Sequence, residues 1–213
     1  RESLKNTKTF YKEGKLKEAV NYAKEAIKFS KNDFGINHYY TATLIENLGI
    51  IQYELSMYED AKDSFVEVLN IRKTYLNEDH IDIAESPNYI ALTNRKLYQY
   101  DDAISYHNEA LLVMSRSITK SNPHAMNEKN RKGAIFRASA LHTKALIEIK
   151  NRNTSDAIGL LLTSSKIFYN TLCKDKTQLI ESYEDLIKLA LAINDEELAN
   201  KTKQKLKNLD NRI

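Results

Sequence analysis

The sequence is poor in the residues that form turns and cross-links. Its 213 residues contain five glycines, two prolines, one cysteine and no tryptophan. Sheet folds need more turn glycine and proline than this, so the shortage argues against them and favours an all-helical chain. The lone Cys173 argues against a disulfide framework and a cysteine-based metal site, and we interpret it as an inert thiol.

The sequence also lacks a long hydrophobic run. No stretch approaches the roughly 18 apolar residues of a membrane helix, and the first 14 residues have no apolar segment typical of a signal peptide. We therefore expect no membrane insertion and a cytoplasmic location. The chain begins without methionine, which predicts that it is an excised or processed part of a longer protein.

Neither positive nor negative charge dominates the chain, but the two signs are distributed in separate blocks. The net charge is +3. Residues 1–31 hold nine Lys/Arg and four Glu, residues 46–85 hold three Lys/Arg and ten Asp/Glu, and residues 116–152 hold nine Lys/Arg and two Glu. A nucleic-acid binder usually has one continuous basic face, so we expect no nucleic-acid partner. Alternating blocks indicate solvated helix faces or a surface that recognises a charged partner.

Five alanines recur at a nearly constant spacing. Ala19, Ala61, Ala103, Ala157 and Ala199 are separated by 42, 42, 54 and 42 residues. An acidic residue stands one or two positions before each alanine, as is typical of a helix N-terminal turn. A fixed period of this length indicates a stacked supersecondary unit. The spacing therefore predicts helix pairs that cross closely at each alanine.

The period is interrupted at two places. The 54-residue interval holds twelve extra residues, which we assign to an insertion at about 119–133. This insertion is either a longer connector or an extension of the flanking helices by one to two turns. The second interruption is Ser86-Pro87, which is typical of an N-cap and first helical residue. It predicts that the first helix of the third unit starts late or kinks there.

The repeat predicts one domain over residues 1–213. Its units cover about 1–35, 36–77, 78–121, 122–174 and 175–213. The last helix of the array is mostly charged, which suits a cap that faces water. Self-association through the ends of the array stays open, although this polar last helix argues against it at the C-terminal end.

Residues 38–82 resemble a tetratricopeptide repeat of the 42-residue kinesin-light-chain-like type. The matching elements are Asn47-Leu48-Gly49, Tyr58 before Glu59-Asp60-Ala61, Phe65, and the segment LNIRKTYLNEDHIDIA. The third unit matches through Tyr89-Ile90-Ala91 and the segment YDDAISYHNEAL, and the remaining units through the alanine and the apolar stripe. The resemblance implies an all-α fold, a right-handed α-α superhelix of about five antiparallel helix pairs. First helices would line its concave groove.

The resemblance also implies a function. Such arrays are similar in role, so we expect a non-enzymatic scaffold that binds a protein or peptide segment in the groove and needs no cofactor. The alternative is a ligand-sensing array that controls an attached output domain, as in peptide-pheromone receptors and sensor kinases. An enzyme using the 119–133 insertion is a third class, which no motif supports. His38 and His80 repeat with the period, so we assign them a structural role at the entry of a first helix.

The family register places ten residues in the groove: Glu46, Asn47, Ile50, Tyr53, Asn88, Leu92, Arg95, Lys96, His142 and Lys150. The Asn47 amide offers a donor and an acceptor together, which suits the backbone of an extended peptide. Arg95, Lys96 and Lys150 would favour an acidic ligand, and Glu46 would oppose it. No residue is assigned to catalysis or to a metal.

Overall fold

The computed structural model describes residues 2–118, 123–171 and 176–210, so Cys173 lies outside the described part. Within these ranges the chain forms ten helices and no strand. The helices are α1 (Glu2–Lys12), α2 (Leu16–Phe34), α3 (Tyr39–Glu54), α4 (Tyr58–Tyr75), α5 (Ile81–Lys96), α6 (Tyr100–Ile118), α7 (Pro123–Lys150), α8 (Thr154–Thr171), α9 (Thr177–Ala192) and α10 (Glu196–Asp210). The predicted all-α fold of helix pairs is confirmed.

The helices fall into two compact units, Arg1–Lys120 and Ser121–Ile213. The first unit holds the three pairs α1–α2, α3–α4 and α5–α6, and each helix packs against the next along the chain. The second unit holds the pairs α7–α8 and α9–α10, in which α8 packs on α9 and α7 also touches α9. Because the chain divides into these two units, the assignment of residues 1–213 to one domain stays a prediction.

The five periodic alanines lie at the centre of the packing. Ala19, Ala61, Ala103, Ala157 and Ala199 are all fully buried, at 0% exposure. Each lies in the first turn or so of the second helix of its pair, where acidic side chains precede it. A small side chain at this point lets the neighbouring helix approach closely, as the spacing predicted.

The turn inside every helix pair has the same geometry. Five residues before each alanine the backbone has a positive φ, at Gly14 (72°), Ser56 (60°), Tyr98 (59°), Arg152 (64°) and Asn194 (59°). The next backbone N–H donates to the carbonyl five residues earlier at 2.9 Å, as Met57 N–H does to Gln52 O. This is the Schellman helix ending, which needs one left-handed residue. The prediction of such a turn at Gly14 is confirmed, whereas at the other four positions no glycine indicates it.

The twelve extra residues extend a helix. The first helices α3, α5 and α9 have 16 residues each, whereas α7 has 28, a difference of twelve. Twelve residues make about three helical turns, so the predicted extension of one to two turns is too short. Residues 119–122 lie outside the described ranges.

The expected late start of the third unit's first helix is wrong. Helix α5 begins at Ile81, and Pro87 lies inside it. The start is fixed by His80, whose Nδ1 accepts a hydrogen bond from the Asp82 N–H at 3.2 Å. Proline in a helix interior removes one backbone donor, and the cap together with packing on α4 and α6 outweighs that loss.

His38 caps α3 in the same way as His80 caps α5. Its Nδ1 accepts from the Tyr40 N–H at 3.1 Å. An N-cap acceptor satisfies one of the backbone donors that a helix leaves free at its start. The predicted structural role of the two histidines is confirmed.

Candidate functional site

The buried alanines give a register for the face that the first helices present. Asn47 lies 61 − 47 = 14 residues before Ala61, and the same count from the other alanines reaches Lys5, Tyr89, Thr143 and Asp185. The preceding position holds Leu4, Glu46, Asn88, His142 and Glu184. Residues at the same count before their alanine form one row of equivalent first-helix positions. Each predicted groove residue can therefore be compared with its counterparts in the other units.

A cavity opens between the first helices α1 and α3 in the first unit. Its volume is about 170 Å³, and its lining residues are Leu4, Thr7, Lys8, Tyr11, Asn47, Ile50 and Ile51. Asn47 and Ile50 are among the predicted groove residues, and the structure places them together. The α1 side of this cavity was missed by the sequence analysis. The register would have found it, because Lys8 and Tyr11 lie 42 residues before Ile50 and Tyr53.

The cavity combines an apolar surface with polar groups at its edge. Leu4, Ile50 and Ile51 supply the apolar part. The Tyr11 hydroxyl donates to Glu54 Oε1 at 2.6 Å and links α1 to α3. Lys8 is exposed and forms no ion pair with any described residue. The cavity therefore presents one amide, one free ammonium group and an apolar wall.

Glu46 is held by a buried arginine. Its two carboxylate oxygens accept hydrogen bonds from Arg72 Nη1 and Nη2, both at 2.8 Å. Arg72 is 3% exposed, and its Nη1 also donates to Ser86 Oγ at 2.9 Å and to the Asp82 carbonyl at 3.1 Å. Burial alone would lower the pKa of Arg72, but the hydrogen bonds and charge of Glu46 raise it. The guanidinium group thus joins α3, α4 and α5 and neutralises Glu46.

The predicted groove residues of the third unit are less accessible. Asn88, Leu92 and Arg95 are buried, at 5%, 6% and 4% exposure. Arg95 and Lys96 already interact with other groups of the protein. The Asn88 Oδ1 is buried and has no hydrogen-bond partner in the described part of the chain. Asn88 lies 42 residues after Glu46, at the equivalent position of the next repeat. The residue equivalent to Arg72 is Met114, which has no guanidinium group to donate to it.

His142 contacts the following first helix instead of solvent. It is 1% exposed, and its Nε2 lies 2.9 Å from Asp185 Oδ2 on α9. Lys188 Nζ lies 3.2 Å from the other carboxylate oxygen. Burial alone raises the pKa of Asp185, but the hydrogen bonds and charges of His142 and Lys188 outweigh it and hold that pKa below its usual range. The sequence analysis missed Asp185, although it shares the row of Asn47. Lys150 is exposed.

Metal sites and membrane-spanning helices are absent from the same described residues. No group of three or more His, Cys, Asp or Glu side chains there could hold a metal ion. None of the helices in these ranges is both long enough and apolar enough to cross a membrane. The absence of an enzymatic role stays a prediction.

Comparison with known families and structures identifies the repeat. Residues 8–74 match the tetratricopeptide repeat family model. The chain is similar in structure to the TPR-like repeats of a putative kinesin light chain from Podosopora anserina. The TM-score is 0.57 at 14% identity, and the match covers 97% of this chain and 92% of that one. Residues 8–74 therefore consist of tetratricopeptide repeats. No relative was found among proteins with curated functions.

The tetratricopeptide fold extends over nearly the whole chain. BtubC (BKLC) from P. vanneervenii has a TM-score of 0.60 at 16% identity, with 96% of this chain and 76% of that chain covered. The apo form of RapI has a TM-score of 0.59 at 17% identity, with coverages of 97% and 81%. At these identities the similarity shows the fold alone. The tetratricopeptide fold is a helical repeat scaffold for protein interaction in general.

Proposed function

We propose that this chain is a non-enzymatic scaffold that binds a protein or peptide segment along the first helices of its first unit. The observation that carries the proposal is the cavity between α1 and α3. It lies at equivalent register positions of two consecutive repeats, so a bound segment would cross from one repeat to the next. The predicted groove residues Asn47 and Ile50 line it.

The chemistry of this cavity favours a segment with an apolar side chain beside an acidic one. Leu4 and Ile50 offer apolar surface, which stabilises a buried side chain by about 25 cal/mol per Å² removed from water. The free ammonium group of Lys8 favours a carboxylate. The Asn47 amide can donate to and accept from one peptide unit. Glu46, which would oppose an acidic ligand, is neutralised by Arg72.

The structure changes which positively charged residue we propose for attracting an acidic ligand. Arg95 and Lys96 were predicted to attract an acidic ligand, but Arg95 is buried and both already have partners. We therefore assign that role in the first unit to Lys8.

The regulatory alternative, a ligand-sensing array that controls an output domain, uses the same groove. A kinase, phosphatase or DNA-binding domain beside this one in the full-length chain would favour it.

A peptide selection tests the proposal. Binders are selected from a randomised twelve-residue library, and their affinities are measured by fluorescence anisotropy for the wild type and for Asn47→Ala and Lys8→Glu. Loss of hydrogen bonds to the Asn47 amide should raise Kd about fivefold to tenfold. Reversal of the Lys8 charge should raise Kd similarly, and this effect should shrink at high salt because exposed charges are screened.

Matched controls carry the same chemical changes on the second helix of the first pair. Asn21→Ala and Lys17→Glu alter exposed residues of α2 that do not line the cavity. Both should leave Kd within about twofold of the wild type, since scattered surface changes have small effects. Selected peptides whose affinity is insensitive to Asn47→Ala and Lys8→Glu would contradict the proposal.

A further inference from the structure

A larger cavity lies within the second unit. Its volume is about 460 Å³. Helix α8 contributes Leu162, Ser165, Lys166 and Tyr169, α9 contributes Tyr183, and α10 contributes Lys205, Asn208 and Leu209. The α8 residues follow the helical spacing i, i+3, i+4 and i+7, and the α10 residues follow i, i+3 and i+4. One face of each second helix therefore forms a wall of the cavity.

Two positive charges at this cavity have no acidic partner within residues 2–118, 123–171 and 176–210. Lys166 on α8 and Lys205 on α10 are exposed and form no ion pair with a described residue. Several other exposed lysines of the chain do have acidic partners, as Lys73 has in Glu109 at 3.0 Å. Two unpaired ammonium groups facing one cavity favour an anion between them.

A buried tyrosine gives independent support. Tyr183 lines the cavity and is 5% exposed, yet its hydroxyl makes no hydrogen bond with a described residue. Burial raises the pKa of Tyr183, and nearby Tyr169 adds to the shift, so the hydroxyl stays protonated at neutral pH. A phenolic hydroxyl can donate a hydrogen bond, so Tyr183 can bind an oxyanion in a cavity that two lysines also line.

We propose that the cavity between α8, α9 and α10 binds a small amphipathic carboxylate. Lys166 and Lys205 would flank the carboxylate, and the Tyr183 hydroxyl would donate to it. Leu162, Leu209 and the Tyr169 ring would cover the apolar or aromatic body. The volume lies within the range of about 300–1,000 Å³ that is usual for small-molecule sites. The proposal is independent of peptide binding at α1 and α3.

The test is a titration of the uniformly ¹⁵N-labelled 213-residue chain with 2-naphthoate, followed by backbone amide chemical shifts. Shifts should cluster on α8, α9 and α10 and should saturate. The neutral analogue 2-naphthamide should bind at least about threefold more weakly, because it loses two ion pairs that each contribute up to about 1 kcal/mol. Tyr183→Phe keeps the ring and should raise Kd about tenfold, as expected for a lost hydrogen bond to a charged group.

Charge variants separate this site from general attraction to a basic protein. Lys166→Glu/Lys205→Glu should abolish the saturable shifts. Lys203→Glu/Lys207→Glu makes the same change in net charge at exposed α10 positions outside the cavity, and it should leave Kd within about twofold. Equal effects of the two double variants would overturn the proposal.

Two further results would also overturn it. One is the absence of saturation up to about 5 mM 2-naphthoate, which would place Kd outside the range of a specific small-molecule site. The other is tighter binding, at the same amides, of an end-capped tripeptide with glutamate between two leucines. That result would assign the cavity to a protein partner instead of a small molecule.

Discussion

Gly49 provides the sharpest test of how the repeats pack. A Cβ atom built at this helical position would lie 2.8 Å from Phe65 Cε1 and 3.1 Å from Cδ1 and Cζ. The Phe65 ring is fully buried and stacks on Tyr89, with ring centroids 4.9 Å apart and an angle of 11° between the planes. The ring therefore has little room to move away from an added methyl group.

Two effects of Gly49→Ala oppose each other. Alanine is favoured over glycine inside a helix by about 1 kcal/mol, whereas overpacking a dense core costs about 1–3 kcal/mol. Because the buried Phe65 ring stacks on Tyr89, we expect the clash to exceed the gain and the variant to lose up to about 2 kcal/mol of unfolding free energy. Urea unfolding followed by far-ultraviolet circular dichroism measures the change.

The chain supplies both a control and a rescue. Gly159 is helical and exposed, and a Cβ there would meet nothing within 4 Å, so Gly159→Ala should stabilise by up to about 1 kcal/mol. The fourth unit carries Ala145 and Leu161 at the positions of Gly49 and Phe65, both fully buried. In the Gly49→Ala background, Phe65→Leu should therefore relieve the clash and recover stability. Additive effects of the two substitutions, or stabilisation by Gly49→Ala alone, would refute the reasoning.

Three further predictions concern the turns and the two buried ion pairs. Gly14→Ala places a Cβ in open space at a φ of 72°, so it should lower the unfolding free energy by about 1 kcal/mol through backbone strain alone, measured by urea unfolding. Glu46→Ala leaves the buried Arg72 charge unpaired and should cost about 3–5 kcal/mol. The double variant Glu46→Asn/Arg72→Met should recover most of that loss in thermal unfolding. The depressed pKa of Asp185 adds stability at neutral pH that is lost as the pH falls below about 4, so Asp185→Asn should flatten the acid side of a plot of urea midpoint against pH.

Much of the fold could be predicted because it depends on spacing. The alanine period sets where each helix pair crosses, and all five alanines are buried. The caps His38 and His80 follow from the same period. The left-handed residues Ser56, Tyr98 and Arg152 could not be predicted from local preference, because tertiary packing forces a conformation that these residue types disfavour.

The candidate site was only partly predictable. Asn47 and Ile50, which the register assigns to the groove, both line one cavity, and their assignment to a binding site stays a prediction. The register could not show that Arg72 reaches Glu46 or that Asp185 reaches His142, because both contacts join residues that are 26 and 43 positions apart. The preference of proline for the first turn of a helix did not predict the start of α5, because the His80 cap starts the helix six residues before Pro87.

We propose that a protein segment binds across the first helices α1 and α3. Titration of the ¹⁵N-labelled chain with a selected peptide, followed by the backbone amide shifts of the first unit, locates the bound segment. We expect the largest shifts at Lys8, Tyr11, Asn47 and Ile50, and little change on the exposed face of α2 around Lys17 and Asn21. Shifts concentrated on α2 and α4, with α1 and α3 unchanged, would contradict this proposal.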